Sequence, residues 1–301
     1  MLLFELEKYA SSKNTIKLIL LNKYYNKNVD ITYLKFYNKQ KTLYNNKIKN
    51  IQKYSSDNIY FQNIDHMHKL KKLKILKFGV DQMIIKKVTQ LTTLTCWFNK
   101  KIKDVNHLRN LKKLYCEKSG INQSGIRKIS KIEVLDCRFI ENIKNVNHMK
   151  NLKKASFTNC HGIDQNGINK ISKIVMLDCT NNKNIHDINH MKKLKRLFCE
   201  KSSIEQYGIS KISKLVQLNC TNNKKIKDVN HLKKLKILNC EESSAIDQNG
   251  ISKSTNLVEL CCSFNGKIND VNHLKKLKIL HCEDYSGVRT SLNFVVRLTE
   301  K

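Results

Sequence analysis

The feature that most constrains this chain is an internal repeat of about 20 residues. The segments IKDVNHLKKLKILNC (226–240) and INDVNHLKKLKILHC (268–282) are almost identical, and IKDVNHLRNLKKLYC (102–116) follows the same pattern. Segments of a second type alternate with these, as in IDQNGINKISKIVMLDC (163–179) and IEQYGISKISKLVQLNC (204–220). A unit this short cannot bury its own apolar side chains, so the repeat predicts coils that stack into a solenoid.

Both segment types end in a motif of the form L-x-x-L-x-C, whose last residue we call the ladder position. The second leucine and the ladder residue are two apart, which is the period of a strand. Upstream, apolar residues recur at every third position, as in Val229, Leu232 and Leu235, which favours 3₁₀ or irregular segments. We therefore predict an α/β solenoid with a parallel sheet along one side and 3₁₀ or irregular segments between the strands. The ladder positions are Phe78, Cys96, Cys116, Cys137, Phe157, Cys179, Cys199, Cys220, Cys240, Cys262 and Cys282.

The motif also resembles that of a known family. Leu215, Leu218, Cys220 and Asn223 form L-x-x-L-x-C-x-x-N, which is similar to the leucine-rich-repeat signature with cysteine in place of its third leucine. The continuation over 226–235 resembles the short repeats of internalin-type proteins. The composition together with the repeat resembles leucine-rich-repeat proteins of giant DNA viruses. The resemblance covers about residues 60–290. It implies a leucine-rich-repeat arc with the parallel sheet on its concave side and the 3₁₀ or irregular segments on its convex side.

The resemblance gives a role to the polar signature position, three residues after the ladder position. In the family, such residues stack and hydrogen-bond the backbone of neighbouring turns. The position holds Asn99, Asn182, Asn223 and Asn265 in one unit type, and Ser119, Ser202 and Ser243 in the other. Ile140, Cys160 and Tyr285 depart from the pattern, so we expect this polar ladder to be interrupted there.

The repeat also suggests a domain organisation. Residues 1–58 match the repeat poorly, and we predict that they form an N-terminal cap or degenerate repeats, with 31–36 as an early degenerate unit. Residues 59–301 are predicted to form the solenoid, with about eleven coils and a short C-terminal cap. An F-box docking motif is the alternative for the N-terminus, although a chain without proline lacks the Leu-Pro start of that motif.

The charge and the N-terminus exclude some classes of protein. The formal net charge is +32, but 51 of the 57 basic residues are lysine, a bias that an AT-rich genome also produces. No apolar run is long enough to cross a membrane, and Glu5 and Glu7 interrupt the apolar start that a signal peptide needs. We therefore expect a monomeric intracellular protein with reduced cysteines, cytoplasmic rather than nuclear.

The cysteines are the first candidates for chemistry. Those at ladder positions are predicted to point inward and to form a column, which cannot converge on one metal ion. Cys261 differs because alternation places it on the concave surface, and we expect its thiol to be reactive. No catalytic motif or phosphate-binding loop occurs, so we expect no metal, no cofactor and no enzymatic activity.

Histidine and glycine recur with the repeat as well. The Asx-V-N-H segments predict an N-cap that opens a short helix, and their histidines would be about 10 Å apart, too far to share a metal. Glycines recur once per double unit, and contexts such as Asn166-Gly167 predict turns with positive φ. The histidines are His66, His107, His148, His190, His231 and His273, and the glycines are Gly125, Gly167, Gly208 and Gly250.

Binding specificity is predicted to lie on the strand residues that flank the ladder positions, because these face away from the core. The set contains the only tryptophan and several acidic residues, and aromatic residues are enriched in protein–protein hot spots. We interpret the chain as a non-catalytic scaffold that binds an unidentified protein on this concave face. The predicted partner-binding residues are Trp97, Tyr115, Glu117, Asp136, Arg138, Asp178, Phe198, Glu200, Glu241, His281 and Glu283.

Two alternatives stay open at this point. Stacked lysine pairs would form basic stripes that attract nucleic acid, although the scarcity of arginine argues against sequence-specific readout. A substrate adaptor of a ubiquitin ligase is a narrower form of the scaffold hypothesis and requires residues 1–58 to dock a ligase subunit. The pairs are Lys112–Lys113, Lys153–Lys154, Lys192–Lys193, Lys233–Lys234 and Lys275–Lys276.

Overall fold

The computed structural model of the chain describes residues 70–75, 80–282 and 288, and the backbone of strands at 33–36, 53–56 and 295–296. The chain forms two compact units, Met1–Ile132 and Glu133–Lys301. Most of the segment 1–58 lies outside the described residues, and its predicted boundary at residue 59 stays a prediction. His66, Phe78, Glu283 and Tyr285 also lie outside them.

Parallel strands follow one another in chain order in the first unit. The repeat keeps equivalent positions in register, so that Leu73, Leu94 and Leu114 are neighbours across the sheet. The strands are β1 (Tyr33–Phe36), β2 (Lys53–Ser56), β3 (Lys72–Ile75), β4 (Thr93–Thr95) and β5 (Lys113–Tyr115), each paired with the next. The helices of this unit are α1 (Gln82–Lys86) and α2 (Gln123–Ile126).

The second unit repeats this arrangement, with each strand paired in parallel with the next. Its strands are β6 (Val134–Asp136), β7 (Lys154–Ser156), β8 (Met176–Asp178), β9 (Arg196–Phe198), β10 (Gln217–Asn219), β11 (Ile237–Asn239), β12 (Glu259–Cys261), β13 (Ile279–His281) and β14 (Val295–Val296). Its helices are α3 (Gln165–Ile168), α4 (Gln206–Ile209) and α5 (Gln248–Ile251). The predicted solenoid with a parallel sheet is confirmed in both units.

The core of each coil is built from the middle residue of the strand and the ladder residue. In the second unit, Leu177, Leu197 and Leu218 lie in register and have no exposed surface. Burial of a leucine side chain contributes about 1.5–3 kcal/mol, so the coils stabilise one another mainly by stacking. The described ladder residues up to Cys262 are also fully buried, and Cys282 is half-buried. The inward orientation predicted for the ladder positions is therefore confirmed for these residues.

Buried asparagines hold the turn that follows the ladder position in one unit type. Asn182 Nδ2 donates to the carbonyl oxygens of Cys160 and Ile163, at 2.9 and 3.1 Å. Asn182 Oδ1 accepts from the backbone N–H groups of Asn184 and Ile185. The predicted role of this position is confirmed, because equivalent bonds are made by Asn99, Asn223 and Asn265.

The serine position of the other unit type differs from the prediction in two ways. Ser202 Oγ accepts from the backbone N–H of Ile204 and Ser119 does the same for Ile121, so these bonds lie within one turn and do not reach the backbone of a neighbouring turn. Ser243, however, is exposed, and the buried residue that accepts from Ile246 is Ser244. The shift arises because this coil carries one extra residue between its ladder position and the next buried isoleucine.

The segments between strands have the predicted irregular form on alternate coils only. Every second coil carries one turn of α-helix, as in α3, where the Asp164 carboxylate at the N-cap accepts from the Gly167 N–H at 2.8 Å. The alternate coils carry irregular turns. An Asn or Asp cap followed by Gln favours helix in one unit type, although Glu205 at the N-cap of α4 makes no side-chain cap hydrogen bond.

The predicted reason for the repeat glycines is wrong. Gly167 lies inside α3 without a positive φ, and a Cβ atom at this position would lie 2.1 Å from the backbone oxygen of Lys144. Glycine is therefore required by the close approach of two coils and not by a turn conformation. The same clash, at 1.9–2.1 Å, would occur at Gly125, Gly208 and Gly250.

The Asx-V-N-H segments do not open helices, contrary to the prediction. Asp187 Oδ1 accepts from the Asn189 N–H at 2.8 Å, which closes an Asx turn. Asn189 Nδ2 then donates to the Tyr207 carbonyl oxygen in the next coil, while Asn189 Oδ1 accepts from the Lys211 N–H. This segment therefore joins adjacent coils through backbone groups.

Candidate functional site

We define the strand face as the side chains that alternate with the buried residues of each strand and its ladder position. Parallel strands are about 4.8 Å apart, so in-register side chains on this face are close neighbours. Because backbone pairing fixes the strands, the face is preorganised. In the second unit, the third strand residues form one row: Asp136, Ser156, Asp178, Phe198, Asn219, Asn239, Cys261 and His281.

Two aspartates of this row are held by hydrogen bonds. Arg138 Nε and Nη2 donate to the two carboxylate oxygens of Asp136 at 2.9 and 3.0 Å, which is a bidentate pair. Asp178 accepts from Ser156 Oγ at 3.2 Å and from the Thr180 N–H at 3.1 Å. Asp136 is only 9% exposed whereas Asp178 is half-buried, so Asp178 is the more accessible carboxylate.

Phe198 lies beside Asp178 in the row, because the two residues are register partners on β8 and β9. Its ring is half-buried and so presents an apolar surface with a fixed position. Glu200, on the same coil, has a carboxylate 3.6 Å from Lys201 Nζ. An aromatic ring flanked by carboxylates therefore occupies the middle of this strand face.

The strand face of the second unit is acidic relative to the whole chain. Among its described residues, five are acidic and three are basic, while the chain as a whole has a net charge of +32. A cationic ligand would therefore meet less repulsion on this face than on other surfaces. The acidic residues are Asp136, Asp178, Glu200, Glu241 and Glu259, and the basic residues are Arg138, Lys154 and Arg196.

The strand face of the first unit carries its own aromatic residues. Tyr115 is the register partner of Thr95, and Trp97 directly follows the ladder residue Cys96. Trp97, Tyr115 and Glu117 are all half-buried. This unit thus presents two aromatic side chains and one carboxylate on adjacent coils.

The predicted partner-binding residues lie where alternation placed them, with three in the first unit and seven in the second. The structure brings Asp136 together with Arg138, and it places Phe198 beside Asp178. Glu283 lies outside the described residues. A role for these residues in binding stays a prediction.

One cluster was missed by the sequence analysis. The side-chain ligand atoms of Glu259, Cys261 and His281 lie within 4.8 Å of one another. Only the ladder cysteines and the repeat histidines were considered from the sequence, and the expectation of no metal stays a prediction. The signal in the sequence was Glu-x-Cys on one strand, with a histidine at the matching position of the next coil.

Burial and charge both argue against the expected reactivity of the Cys261 thiol. Cys261 is 7% exposed, and burial raises the pKa of its thiol to about 12, with further contributions from the carboxylates of Glu241 and Glu259. The thiolate is the nucleophilic form of cysteine. A thiol with this pKa is almost entirely protonated at neutral pH and therefore reacts slowly.

The lysine pairs are exposed but do not share one row. In the pair Lys153–Lys154, the second lysine is the first residue of β7. In three other pairs, the second lysine lies three residues before a strand: Lys193 before β9, Lys234 before β11 and Lys276 before β13. In the pair Lys112–Lys113 of the first unit, the second lysine is the first residue of β5. The pairs therefore occur at two different points of the repeat, and basic stripes formed by them stay a prediction.

Among the described residues, no helix has the length and apolar character needed to span a bilayer.

Comparisons with known proteins support the fold. No protein-family model and no curated protein matches the chain. The internalin InlF from Listeria monocytogenes aligns with a TM-score of 0.62 and 18% identity, over 78% of this chain and 75% of that chain. TLR13 in its complex with ssRNA13 aligns with a TM-score of 0.51 and 16% identity, over 79% of this chain and 48% of that chain. The functional domain of InlJ from Listeria monocytogenes, which includes a cysteine ladder, aligns with a TM-score of 0.49 and 21% identity, over 86% of this chain and 64% of that chain.

The coils, the buried asparagine positions and the alignment with InlF agree, and the chain has the leucine-rich-repeat fold.

Proposed function

We propose that the chain is a non-catalytic scaffold that binds a protein partner on the strand face of its second unit, around Asp178 and Phe198. The observation that carries the proposal is the in-register row in which a reachable carboxylate lies beside an apolar ring. Such a preformed surface loses little conformational entropy on binding, and aromatic residues often dominate protein interfaces. Trp97 and Tyr115 supply a corresponding surface in the first unit.

The charge of the strand face indicates the chemistry of the partner. Asp178 and Glu200 flank Phe198, while the chain as a whole carries a net charge of +32. The favoured partner is therefore a protein segment that presents Lys or Arg next to an apolar side chain. Such a segment would pair its cation with Asp178 and pack its apolar group on the Phe198 ring.

The experiment is a selection of displayed peptides on the full chain, followed by affinity measurements on the selected peptides. Phe198→Ala and Asp178→Asn should each weaken binding by about tenfold or more, because truncating a hot-spot residue costs about 2 kcal/mol. Glu205→Gln is the matched control, because Glu205 is acidic but lies at the N-cap of α4 and not on the strand face. Peptides that bind both strand-face variants as tightly as the unmodified chain would show that the proposed surface is wrong.

Electrostatic binding of nucleic acid is a second candidate. Lys192, Lys193, Lys233 and Lys234 are exposed on alternate coils of the second unit. TLR13, which shares the fold, was solved in complex with a single-stranded RNA. A fluorescent single-stranded RNA would test this candidate. Its affinity should fall steeply with added salt and after change of these four lysines to Gln, and should be unaffected by Phe198→Ala. An affinity that responds to neither salt nor the lysine changes would exclude it.

The ubiquitin-ligase adaptor would depend on residues 1–58, most of which lie outside the described residues, so it stays a prediction.

A further inference from the structure

Glu259, Cys261 and His281 bring three different metal-ligating groups to one part of the strand face. Glu259 and Cys261 are the first and third residues of β12 and so share a face, and His281 is the register partner of Cys261 on β13. The ligand atoms of the three side chains lie within 4.8 Å of one another. Ligands of one tetrahedral Zn²⁺ lie about 3.5 Å apart, given metal–ligand distances of about 2.0–2.3 Å, so small side-chain rotations suffice to bind one ion.

The described residues make no interaction with these three side chains that a metal ion would have to break. Within it, no hydrogen bond or salt bridge engages the side chain of Glu259, Cys261 or His281. Asn239, the register partner of Cys261 on β11, has a buried Oδ1 that accepts no hydrogen bond from the described residues. A buried acceptor without a donor is unfavourable, and a metal-bound water beside Cys261 would supply the donor.

The local charge favours a cation. Glu259 and Glu241 place carboxylates on the strand face beside Cys261, one on the same strand and one on the preceding coil. Their negative charge attracts a dication, and a bound dication stabilises the thiolate form of Cys261. Glu259 and His281 are half-buried, so an ion could reach the site and would be partly shielded from solvent.

We propose that Glu259, Cys261 and His281 form a Zn²⁺ site with one open coordination position. Thiolate, imidazole and carboxylate are ligands that Zn²⁺ accepts together, whereas Mg²⁺ and Ca²⁺ prefer oxygen ligands alone. Three protein ligands leave the fourth position for water or for a side chain of a bound molecule. Binding breaks the S–H bond of Cys261, forms a Zn–S bond and releases the proton to solvent. The site does not depend on partner binding around Phe198.

The experiment is a titration of the full, folded chain with Zn²⁺ against a chromophoric chelator, and with Co²⁺ as a spectroscopic substitute. We expect about one ion per chain, a thiolate-to-Co²⁺ charge-transfer band, and an affinity that increases between about pH 6 and pH 8 as the released proton becomes less available. Cys261→Ser should abolish the band. His281→Gln and Glu259→Gln should each weaken Zn²⁺ binding by about tenfold or more. Loss of a residue that only contacts a metal ligand already lowers metal affinity by about tenfold or more, and these two residues are proposed as direct ligands.

Matched controls separate this site from other thiols and imidazoles. Cys282→Ser changes the half-buried cysteine one residue after His281, and His161→Gln changes an exposed histidine on another coil. Both controls should bind Zn²⁺ as the unmodified chain does. Circular dichroism checks the fold of each variant, and Glu259→Gln, which keeps the size of the side chain, tests the site even if Cys261→Ser unfolds.

Three results would overturn the proposal. The first is the absence of stoichiometric Zn²⁺ binding by the unmodified chain. The second is unchanged binding in both His281→Gln and Glu259→Gln, which would mean that a lone thiol binds the ion. The third is loss of the Co²⁺ band in Cys282→Ser, which would assign the ion to a different thiol.

Discussion

The Nε2 atom of His190 lies 3.1 Å from the carbonyl oxygen of Ile168, the last residue of α3 in the preceding coil. A carbonyl oxygen only accepts, so the imidazole donates through an Nε2–H and gives this oxygen a second hydrogen bond, beside the one from the Ile171 N–H. Equivalent bonds to the preceding coil are made by His107, His231 and His273. The repeat histidines thus join coils, which explains why they recur with the repeat.

We expect His190 to make the chain less stable at mildly acidic pH. Burial lowers the pKa of His190 in the folded chain, against smaller opposing effects of the Ile168 carbonyl and the Asp187 carboxylate. The unfolded chain, with a histidine pKa of about 6.5, therefore binds the proton more readily, and stability is lost as the pH falls through about 6.5. Urea unfolding at about pH 7.5 and about pH 5.5 should show a smaller pH effect in His190→Gln than in the unmodified chain.

The control for this prediction is His161→Gln, because His161 is exposed. It should keep the pH dependence of the unmodified chain. A pH effect of equal size in His190→Gln and His161→Gln would mean that other groups are responsible for the acid sensitivity.

We expect Gly167→Ala to destabilise the chain by about 2–3 kcal/mol, as overpacking of a filled site does. Alanine normally stabilises a helix relative to glycine by about 0.5–1 kcal/mol, so the sign of the change distinguishes close backbone approach from helix propensity. The added Cβ would lie 2.1 Å from the Lys144 backbone oxygen. Denaturant unfolding measures the change, and Asn166→Ala, at an exposed position of α3, should be nearly neutral. A stabilised Gly167→Ala variant would refute the proposed close approach.

We expect Asn182→Ala to cost about 3 kcal/mol or more. The substitution removes four hydrogen bonds, to the carbonyl oxygens of Cys160 and Ile163 and to the N–H groups of Asn184 and Ile185. Each buried group that loses its hydrogen-bond partner costs about 1 kcal/mol. Thermal and urea unfolding would measure the loss. Asn151→Ala, at an exposed position, should change stability by less than about 0.5 kcal/mol. Similar losses for the two variants would argue against a special role of the buried asparagine.

Features confined to one coil could be predicted from the sequence. Strand alternation placed the ladder cysteines inside and Phe198 and Asp178 on the strand face, and the asparagine position followed from the family signature. Features that depend on the distance between coils could not be predicted. Gln165 is an example, because its Nε2 donates to the Asp187 carbonyl oxygen and its Oε1 accepts from the Asp187 N–H, one coil away. The reason for Gly167 belongs to the same class.

The cluster of Glu259, Cys261 and His281 was missed for a related reason. Its three residues differ in type, and only the register of β12 against β13 brings them together. A search for recurring residues of one type finds the column of thiols and the regular histidines. It does not find a group of residues that occurs only once and whose members come from two adjacent coils.

Cys282 is expected to react first with thiol reagents. It is half-buried, while the other ten cysteines are buried. Burial raises the pKa of the Cys96 and Cys220 thiols to about 12, so these thiols have almost no thiolate at neutral pH and react only when the chain opens. A chromogenic thiol assay on the folded chain at about pH 7.5 should show one fast equivalent, which Cys282→Ser removes and Cys261→Ser retains. In denaturant, all eleven thiols should react quickly, which controls for the reagent. Loss of the fast equivalent in Cys261→Ser would mean that the strand face exposes this thiol more than its burial indicates.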